Sequence, residues 1–371
     1  MAKKKIGVIG LKGLPAYGGA ATVGENIINQ LKNDYDFTVY SISSHTSRKT
    51  GNFSGSKQIV FKKFPIRALN IYYYYFLSVI HCIIKGNYDL IHVHHSDVAI
   101  IVPFLKLKYT TIITSHGTIH DTIGSEFKYG KINTMFIIFS EKFIKYADYV
   151  TSVSKNLSKK LSSRYSIKVK YIPNGINVHQ DDNIIKNIVN NKINHILFGA
   201  GRIIPTKGCH ILLRALNEIE YKGKVSVIGD TNQNNHYTET LYQISQNLDI
   251  NYLGLIKDKN KLFSEIKKSE LFVYPSSIES MSIMLLEVAA CGIPIICSDI
   301  IENKDIFNSK EVIFFKTNNI KDLATKINWA LDNKKALSKM AYQANNKLRI
   351  DYDWNKISRH YSSIYNDVIM K

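Results

Sequence analysis

The chain has little of several things, and each shortage narrows what it can be. Its 371 residues include four cysteines, Cys82, Cys209, Cys291 and Cys297, far apart and without metal-ligand spacing. That argues against a disulfide scaffold or a cysteine-held zinc, and a reduced, cytoplasmic protein is the simplest expectation. No apolar run reaches the roughly 20 residues a membrane-spanning helix needs. The longest, Leu69–Ile84, carries His81 and the four consecutive tyrosines Tyr72–Tyr75. After Lys3-Lys4-Lys5 the apolar stretch Ile6–Leu11 is only strand-length, so no cleaved signal peptide is expected. Carboxylates are scarce, 30 Asp and Glu against 49 Lys and Arg, for a net charge of +19. The excess sits mainly in residues 1–180, with 24 basic against 9 acidic residues; residues 181–371 hold 25 against 21. A solvated surface would account for it. So would attraction to anionic lipid headgroups, where each nearby cation contributes about 1 kcal/mol. Nucleic acid is a third reading, but no binding motif accompanies the charge.

What is present is an ordinary soluble composition, 45% hydrophobic and 21% charged, in a chain longer than one core accommodates. Strand-like and helix-like segments alternate. Lys5–Gly10, Phe37–Ile42, Leu90–His94, Thr110–Thr114 and Tyr149–Val153 read as strands, with helices at Gly24–Leu31, around Leu69–Ile84, at Asn133–Tyr146 and at Lys155–Leu161. The polar stretch Asn177–Asn194 reads as a linker with a short surface helix. A second series follows from strand His195–Gly199 through Ile211–Glu220, Lys224–Gly229, Tyr237–Gln246, Ile250–Leu253 and Leu262–Lys267. Repeated βα units predict an α/β protein with parallel sheets in two domains, residues 1–176 and 177–350, closed by a helix over 351–371.

The most informative segment is Pro275–Asp299, which holds Glu279 and Glu287, eight residues apart, with almost no other charge. Leu271–Tyr274 reads as a buried strand, which places Glu279 beyond a strand's carboxyl end, where open α/β sheets bind ligands. Ser282–Ala290 reads as a buried helix, capped by Ser282, ended by Gly292 and stopped by Pro294. A lone carboxylate at Glu287 would cost several kcal/mol there unless something hydrogen-bonds it. Ligand hydroxyls are one candidate, and a structural Arg or Lys is the other.

This segment resembles the Glu-x7-Glu region of retaining, sugar-nucleotide-dependent glycosyltransferases of family 4. The match includes Pro275-Ser276, Leu285-Leu286-Glu287, Gly292-Ile293-Pro294 and Ser298-Asp299. The resemblance implies the GT-B fold: two Rossmann-like parallel-sheet domains facing a cleft, with a C-terminal helix returning to the N-terminal domain. It implies that Glu279 holds the donor sugar and Glu287 the ribose, with Ser280, Met281 and Ser282 offering backbone amides to phosphate or hydroxyls. Relatives often have Gly where this chain has Ser280, so a side chain crowds the approach here.

Gly199-Ala200-Gly201-Arg202 through Thr206-Lys207-Gly208 is similar to the family's second signature. Its physical logic is direct. Arg202 offers a bidentate fork and Lys207 a point charge to a diphosphate whose charge grows as it departs. Gly254-Leu255-Ile256 would lie near the base. The loop Gly10–Gly19, after a strand and before a helix, does not have the Gly-x-Gly-x-x-Gly spacing. It does resemble the family's Gly-Gly loop, which implies that Gly18 and Gly19 approach the donor diphosphate. His116, just after a strand, matches a histidine close to the reacting sugar. His92 and His94 alternate as on a strand and suggest either a metal or histidines lining the sheet; no carboxylate or cysteine completes a site. Asp34-Tyr-Asp36 and Asp351-Tyr-Asp353 spell Asp-x-Asp but follow no buried strand.

The resemblance thus implies transfer of a hexose-type sugar, without a metal or other cofactor, from a nucleoside-diphosphate sugar held by residues 177–350. The acceptor would be a saccharide or a polyprenyl-linked saccharide, at residues 1–176, in cell-envelope polysaccharide biosynthesis of the capsule or O-antigen kind. Peripheral attachment to the inner face of the cytoplasmic membrane, through the basic N-terminal domain and Ile71–Phe76, goes with that reading; nucleic acid does not. A sugar-nucleotide 2-epimerase of the same fold and a non-catalytic basic docking protein are the rival readings.

Overall fold

The computed structural model describes all residues except 1, 17, 67–68, 122–129, 179–193 and 371, and the side chains of Asp121 and Ile132. The predicted linker helix within Asn177–Asn194, and Arg67, therefore lie largely outside the described residues. The chain divides into two compact units. One gathers the described residues up to Gly175 together with Trp354 onward, and the other runs from Ile176 to Asp353.

In the first unit, strands β1 (Lys4–Lys12), β2 (Tyr35–Ile42), β3 (Gly51–Phe53), β4 (Ser56–Phe61), β5 (Leu90–His94), β6 (Thr110–Ser115), β7 (Tyr149–Ser152) and β8 (Val169–Tyr171) form one sheet. Their order is β3-β4-β2-β1-β5-β6-β7-β8, parallel except for the β3–β4 hairpin. From β1 the chain moves outward through β2 to the β3–β4 hairpin, and from β5 outward on the other side, so the direction switches between β1 and β5. Burial on both faces explains the near-continuous apolar run of β1, and in β5 it takes His92 and His94 into the core as well. The sequence reading missed the short β3, β4 and β8.

The second unit's sheet contains β9 (His195–Arg202), β10 (Lys224–Asp230), β11 (Asp249–Gly254), β12 (Leu271–Tyr274), β13 (Ile295–Ser298) and β14 (Ile313–Phe315). Its order is β11-β10-β9-β12-β13-β14, all parallel, and here the switch falls between β9 and β12. Each unit has its own core, around Val93, Ile113 and Tyr74 in the first and Phe198, Leu212 and Val273 in the second.

The last helix, Trp354–Ile369, belongs to the first unit and packs on the helix Gly19–Leu31. Its strong amphipathicity is spent there. Tyr361 and Tyr365 are fully buried, and Tyr365 hydrogen-bonds His92 Nδ1 at 2.8 Å. Tyr35 donates to Asn366 Oδ1 at 2.9 Å from the sheet side.

The tyrosine run divides between core and surface. On the helix Asn70–Lys85, Tyr74 and Tyr75 are buried, because the Tyr74 hydroxyl accepts from Gly10 N and donates to the Tyr40 carbonyl, both at 2.9 Å. Tyr73 packs on Phe64, with ring centroids 4.9 Å apart. Tyr74 and Tyr75 hold the helix to the sheet, whereas Tyr72 and Tyr73 are half-buried. Among the described residues no helix is long and apolar enough to cross a membrane.

Candidate functional site

The second unit brings most of the candidate residues to its switch point. Arg202 ends β9, which runs three residues beyond the expected strand. A short 3-10 turn, Pro205–Lys207, then carries Lys207. Gly208 follows with φ +75°, and a Cβ there would lie 2.2 Å from the Pro275 carbonyl oxygen. Only glycine allows the β9 and β12 loops to approach this closely. The loops are stitched together as well: Ser277 N donates to the Thr206 carbonyl at 2.8 Å and Ser276 Oγ to the same oxygen at 3.2 Å.

That stitching places Lys207 Nζ 2.5 Å from Glu279 Oε1, with both side chains mostly shielded from solvent. Tyr274, the last residue of β12, also donates its hydroxyl to Glu279 Oε1. Burial, then the neighbouring Glu279 charge, push the Tyr274 phenol well above its ordinary range, so it stays a donor. Ser282 Oγ donates to the Tyr274 hydroxyl at 2.9 Å and accepts from Leu285 N at 3.2 Å, which caps the helix Ile283–Ala290. One chain of hydrogen bonds thus links the glutamate, the strand end and the helix start. Met281 is buried and Ser280 half-buried between them.

Glu287 lies in that helix, 4% exposed. Burial raises its carboxyl pKa and the Lys259 ammonium opposes the rise. Its Oε1 accepts from Lys259 Nζ, at the start of the helix Lys259–Lys267. The cost of a buried carboxylate is therefore met by a lysine whose side chain is half exposed. Sequence reasoning missed Lys259 and Tyr274 as partners of the two glutamates. Gly254 ends β11 at the sheet's edge with φ +67° and open space where a Cβ would go; exposed Leu255 and half-buried Ile256 follow it.

Gly18, Gly19 and His116 belong to the first unit, around its own switch point. Gly10 ends the regular part of β1 with φ +114°, and a Cβ on it would stand 2.1 Å from the His94 carbonyl oxygen. The loop then leads to Gly18, φ +100° and open on its Cβ side, which precedes the helix beginning at Gly19. His116 Nε2 is 3.1 Å from His94 Nδ1, and their rings stack at 5.4 Å. Burial depresses His116 to about 3, and it pushes His94 and His95 well below the ordinary imidazole value. All three are neutral at physiological pH and can accept or donate hydrogen bonds. His92 has both nitrogens engaged, Nδ1 with Tyr365 and Nε2 with Thr114 Oγ1 at 2.7 Å, which makes it a core residue. Among the described residues no His, Cys, Asp and Glu group has metal-site geometry.

Charged and hydroxyl-binding groups at the carboxyl ends of strands, at a topological switch point, are what an α/β sheet uses to hold a phosphorylated ligand. Comparison with known proteins gives that arrangement a family. Residues 17–180 match the family described as Glycosyltransferase Family 4, and residues 180–347 match Glycosyl transferases group 1. An uncharacterised glycosyltransferase of Methanocaldococcus jannaschii is 25% identical over 95% of this chain and 96% of its own length. N,N'-diacetylbacillosaminyl-diphospho-undecaprenol alpha-1,3-N-acetylgalactosaminyltransferase of Campylobacter jejuni is 33% identical over 32% of this chain and 31% of its own. The capsular polysaccharide biosynthesis glycosyltransferase CapH of Staphylococcus aureus is 25% identical over 76% and 78%.

Among solved structures, sucrose-phosphate synthase from Thermosynechococcus elongatus superposes with a TM-score of 0.84 at 18% identity, covering 99% of this chain and all of that one. Anabaena HepE, in complex with UDP and glucose, superposes with a TM-score of 0.74 at 16% identity, covering 98% and 100%. The chain belongs to the family 4 glycosyltransferases and has their GT-B fold.

Proposed function

We propose that the protein transfers a hexose-type sugar, with retention of configuration, from a nucleoside-diphosphate sugar to a lipid-linked saccharide in cell-envelope polysaccharide assembly. The observation that carries this reading is the Lys207–Glu279 pair at the β9–β12 switch point, backed by Tyr274. Lys207 and Arg202 would neutralise the departing diphosphate, whose charge grows in the transition state. Glu279 would accept from donor-sugar hydroxyls, oriented by the Tyr274 hydroxyl. Glu287 would accept from the ribose hydroxyls, with Lys259 releasing it as the nucleotide enters. The departing phosphate would take the acceptor proton on the face it leaves, so no protein nucleophile is assigned. Arg202 and Lys207 would both meet the leaving group, so we assign it no metal.

The acceptor class draws support from the Campylobacter jejuni relative, whose name specifies a diphospho-undecaprenol substrate, and from the capsular role in the name of CapH. The donor class draws support from the UDP and glucose bound to HepE. A lipid-linked acceptor places the protein peripherally on the inner face of the cytoplasmic membrane. The test is steady-state turnover of Arg202→Ala and Lys207→Ala, each expected to lose about 100-fold or more, mainly in kcat. Arg202→Lys should recover only part of it, because the bidentate fork is gone. Near-wild-type kcat in both alanine variants would overturn the assignment.

A further inference from the structure

We propose that one helical face of the first unit, centred on the outer side of the helix Asn70–Lys85, docks on an anionic lipid bilayer. The inference gives a location to the membrane-borne acceptor proposed above, and rests on that reading for its purpose.

The helix buries Tyr74, Ser78 and Cys82 on one side. Its opposite side carries Phe76, Ile80 and Ile84 at successive four-residue steps, 61%, 36% and 70% exposed. Isolated apolar residues are ordinary on protein surfaces; a continuous stripe in line is not. The stripe does not stand alone. Tyr72 joins this helix to the helix Lys131–Glu141, donating to Asn133 Oδ1 at 2.8 Å and packing edge-on against Phe136 at 4.8 Å. That second helix exposes Met135 and Phe139, again four residues apart. Phe104, on the short helix Val102–Leu105 that packs against Asn70–Lys85, is also exposed.

Charge decides what covers this face. Residues 37–88 contain no Asp or Glu at all and seven Lys or Arg. The carboxylate on the second helix, Glu141, is fully buried and accepts from Thr118 Oγ1 at 2.8 and 2.9 Å. Asp148 pairs with Lys106 at 2.7 Å, and Asp89 accepts from Lys5 N at 2.7 Å. Lys62, Lys63, Lys85, Lys142 and Lys145 are exposed, Lys85 next to Ile84 in the chain and Lys142 three residues after Phe139. Lys62 and Lys63 are tied to the start of the helix by Phe64, whose amide donates to Asn70 Oδ1 at 2.8 Å.

A second copy of so basic a face would be repelled, whereas an anionic bilayer satisfies both parts. Apolar side chains enter the headgroup–acyl boundary, and lysines reach back to the phosphates.

Co-sedimentation with vesicles tests this, using phosphatidylcholine alone or mixed with phosphatidylglycerol, at low and high salt. The wild-type protein should bind more as phosphatidylglycerol increases and less as salt rises, because screening shortens the attraction. Phe76→Ser/Ile80→Ser/Ile84→Ser should weaken binding at least about a hundredfold. Lys62→Glu/Lys63→Glu, confined to exposed side chains, should weaken it by about fivefold for each cation removed. This second variant also decides the matter should the triple variant fail to fold. Wild-type binding that is absent, or equal on neutral vesicles, overturns the proposal. So does undiminished binding by the variants, or a triple variant whose altered property is oligomeric mass on a sizing column, which would make the face a protein interface. Binding of the nucleotide sugar in solution, read by titration calorimetry, reports separately on the transferase reading and does not depend on this face.

Discussion

Glu279 and Glu287 are the same side chain eight residues apart, yet their surroundings differ. Glu279 stands in a loop and takes Lys207 and the Tyr274 hydroxyl on one oxygen. Glu287 is sunk in a helix and has a single lysine from another helix. The division predicts different losses. Glu287→Ala should weaken binding of the free nucleoside diphosphate as well as of the donor. Glu279→Ala should leave the diphosphate almost unaffected while removing the sugar's contribution, and titration calorimetry on both variants separates the two. Equal losses for the bare diphosphate would mean the roles are misassigned. The glutamates, Arg202 and Lys207 were readable in the sequence because their spacing is local. Lys259, 28 residues before Glu287, and the Tyr274 phenol were not, because their roles exist only after β12 and two helices pack. Ser282 as a helix cap was readable, since a cap is a sequence-local event.

At the level of elements, strands and helices with strong apolar patterns fell where the sequence placed them, β5 with the same bounds. The misses have physical causes. β3 is three residues long at the sheet edge, and β4 beside it opens on Ser-Lys-Gln, so neither shows the long apolar run that marks the central strands. The first helix starts at Gly19, ahead of the expected Gly24, with no capping side chain to announce it. The side-by-side strands β5 and β6 also make a prediction about pH. Burial holds His92 and His116 near 3, while an unfolded imidazole titrates near 6.5. As pH falls below about 6.5 the unfolded chain takes up protons that the folded chain refuses. Stability is therefore undiminished above that value and declines toward 3, by up to about 1.4 kcal/mol per pH unit for each histidine. The thermal midpoint should drop between pH 7 and 4.5, and less steeply in His92→Asn than in the wild type. A flat profile, or one with the same slope in the variant, would contradict the burial argument.

At the scale of the whole molecule, each unit repeats one design: strands running outward from a central pair, with chemistry at the point where the chain order reverses. In the second unit this gathers Arg202, Lys207 and Glu279. In the first it gathers the glycine loop after β1 and the neutral histidines after β5 and β6. Two-domain α/β architecture was legible from the alternation of patterns, and the family from two short signatures. The basic surface was visible in composition, but which residues face outward was not: Tyr74 and Tyr75 face the core, and Phe76, Ile80 and Ile84 do not. The central claim is that a nucleotide sugar is consumed only by transfer. The direct test is release of free nucleoside diphosphate from a panel of UDP-, GDP- and ADP-sugars, with and without a polyprenyl-saccharide lipid extract, using wild type and Arg202→Ala/Lys207→Ala. One donor should yield free diphosphate rapidly only when the extract is present, and the double variant should yield almost none. No release from any donor, release unchanged in the double variant, or return of the donor as its epimer without acceptor would contradict the account.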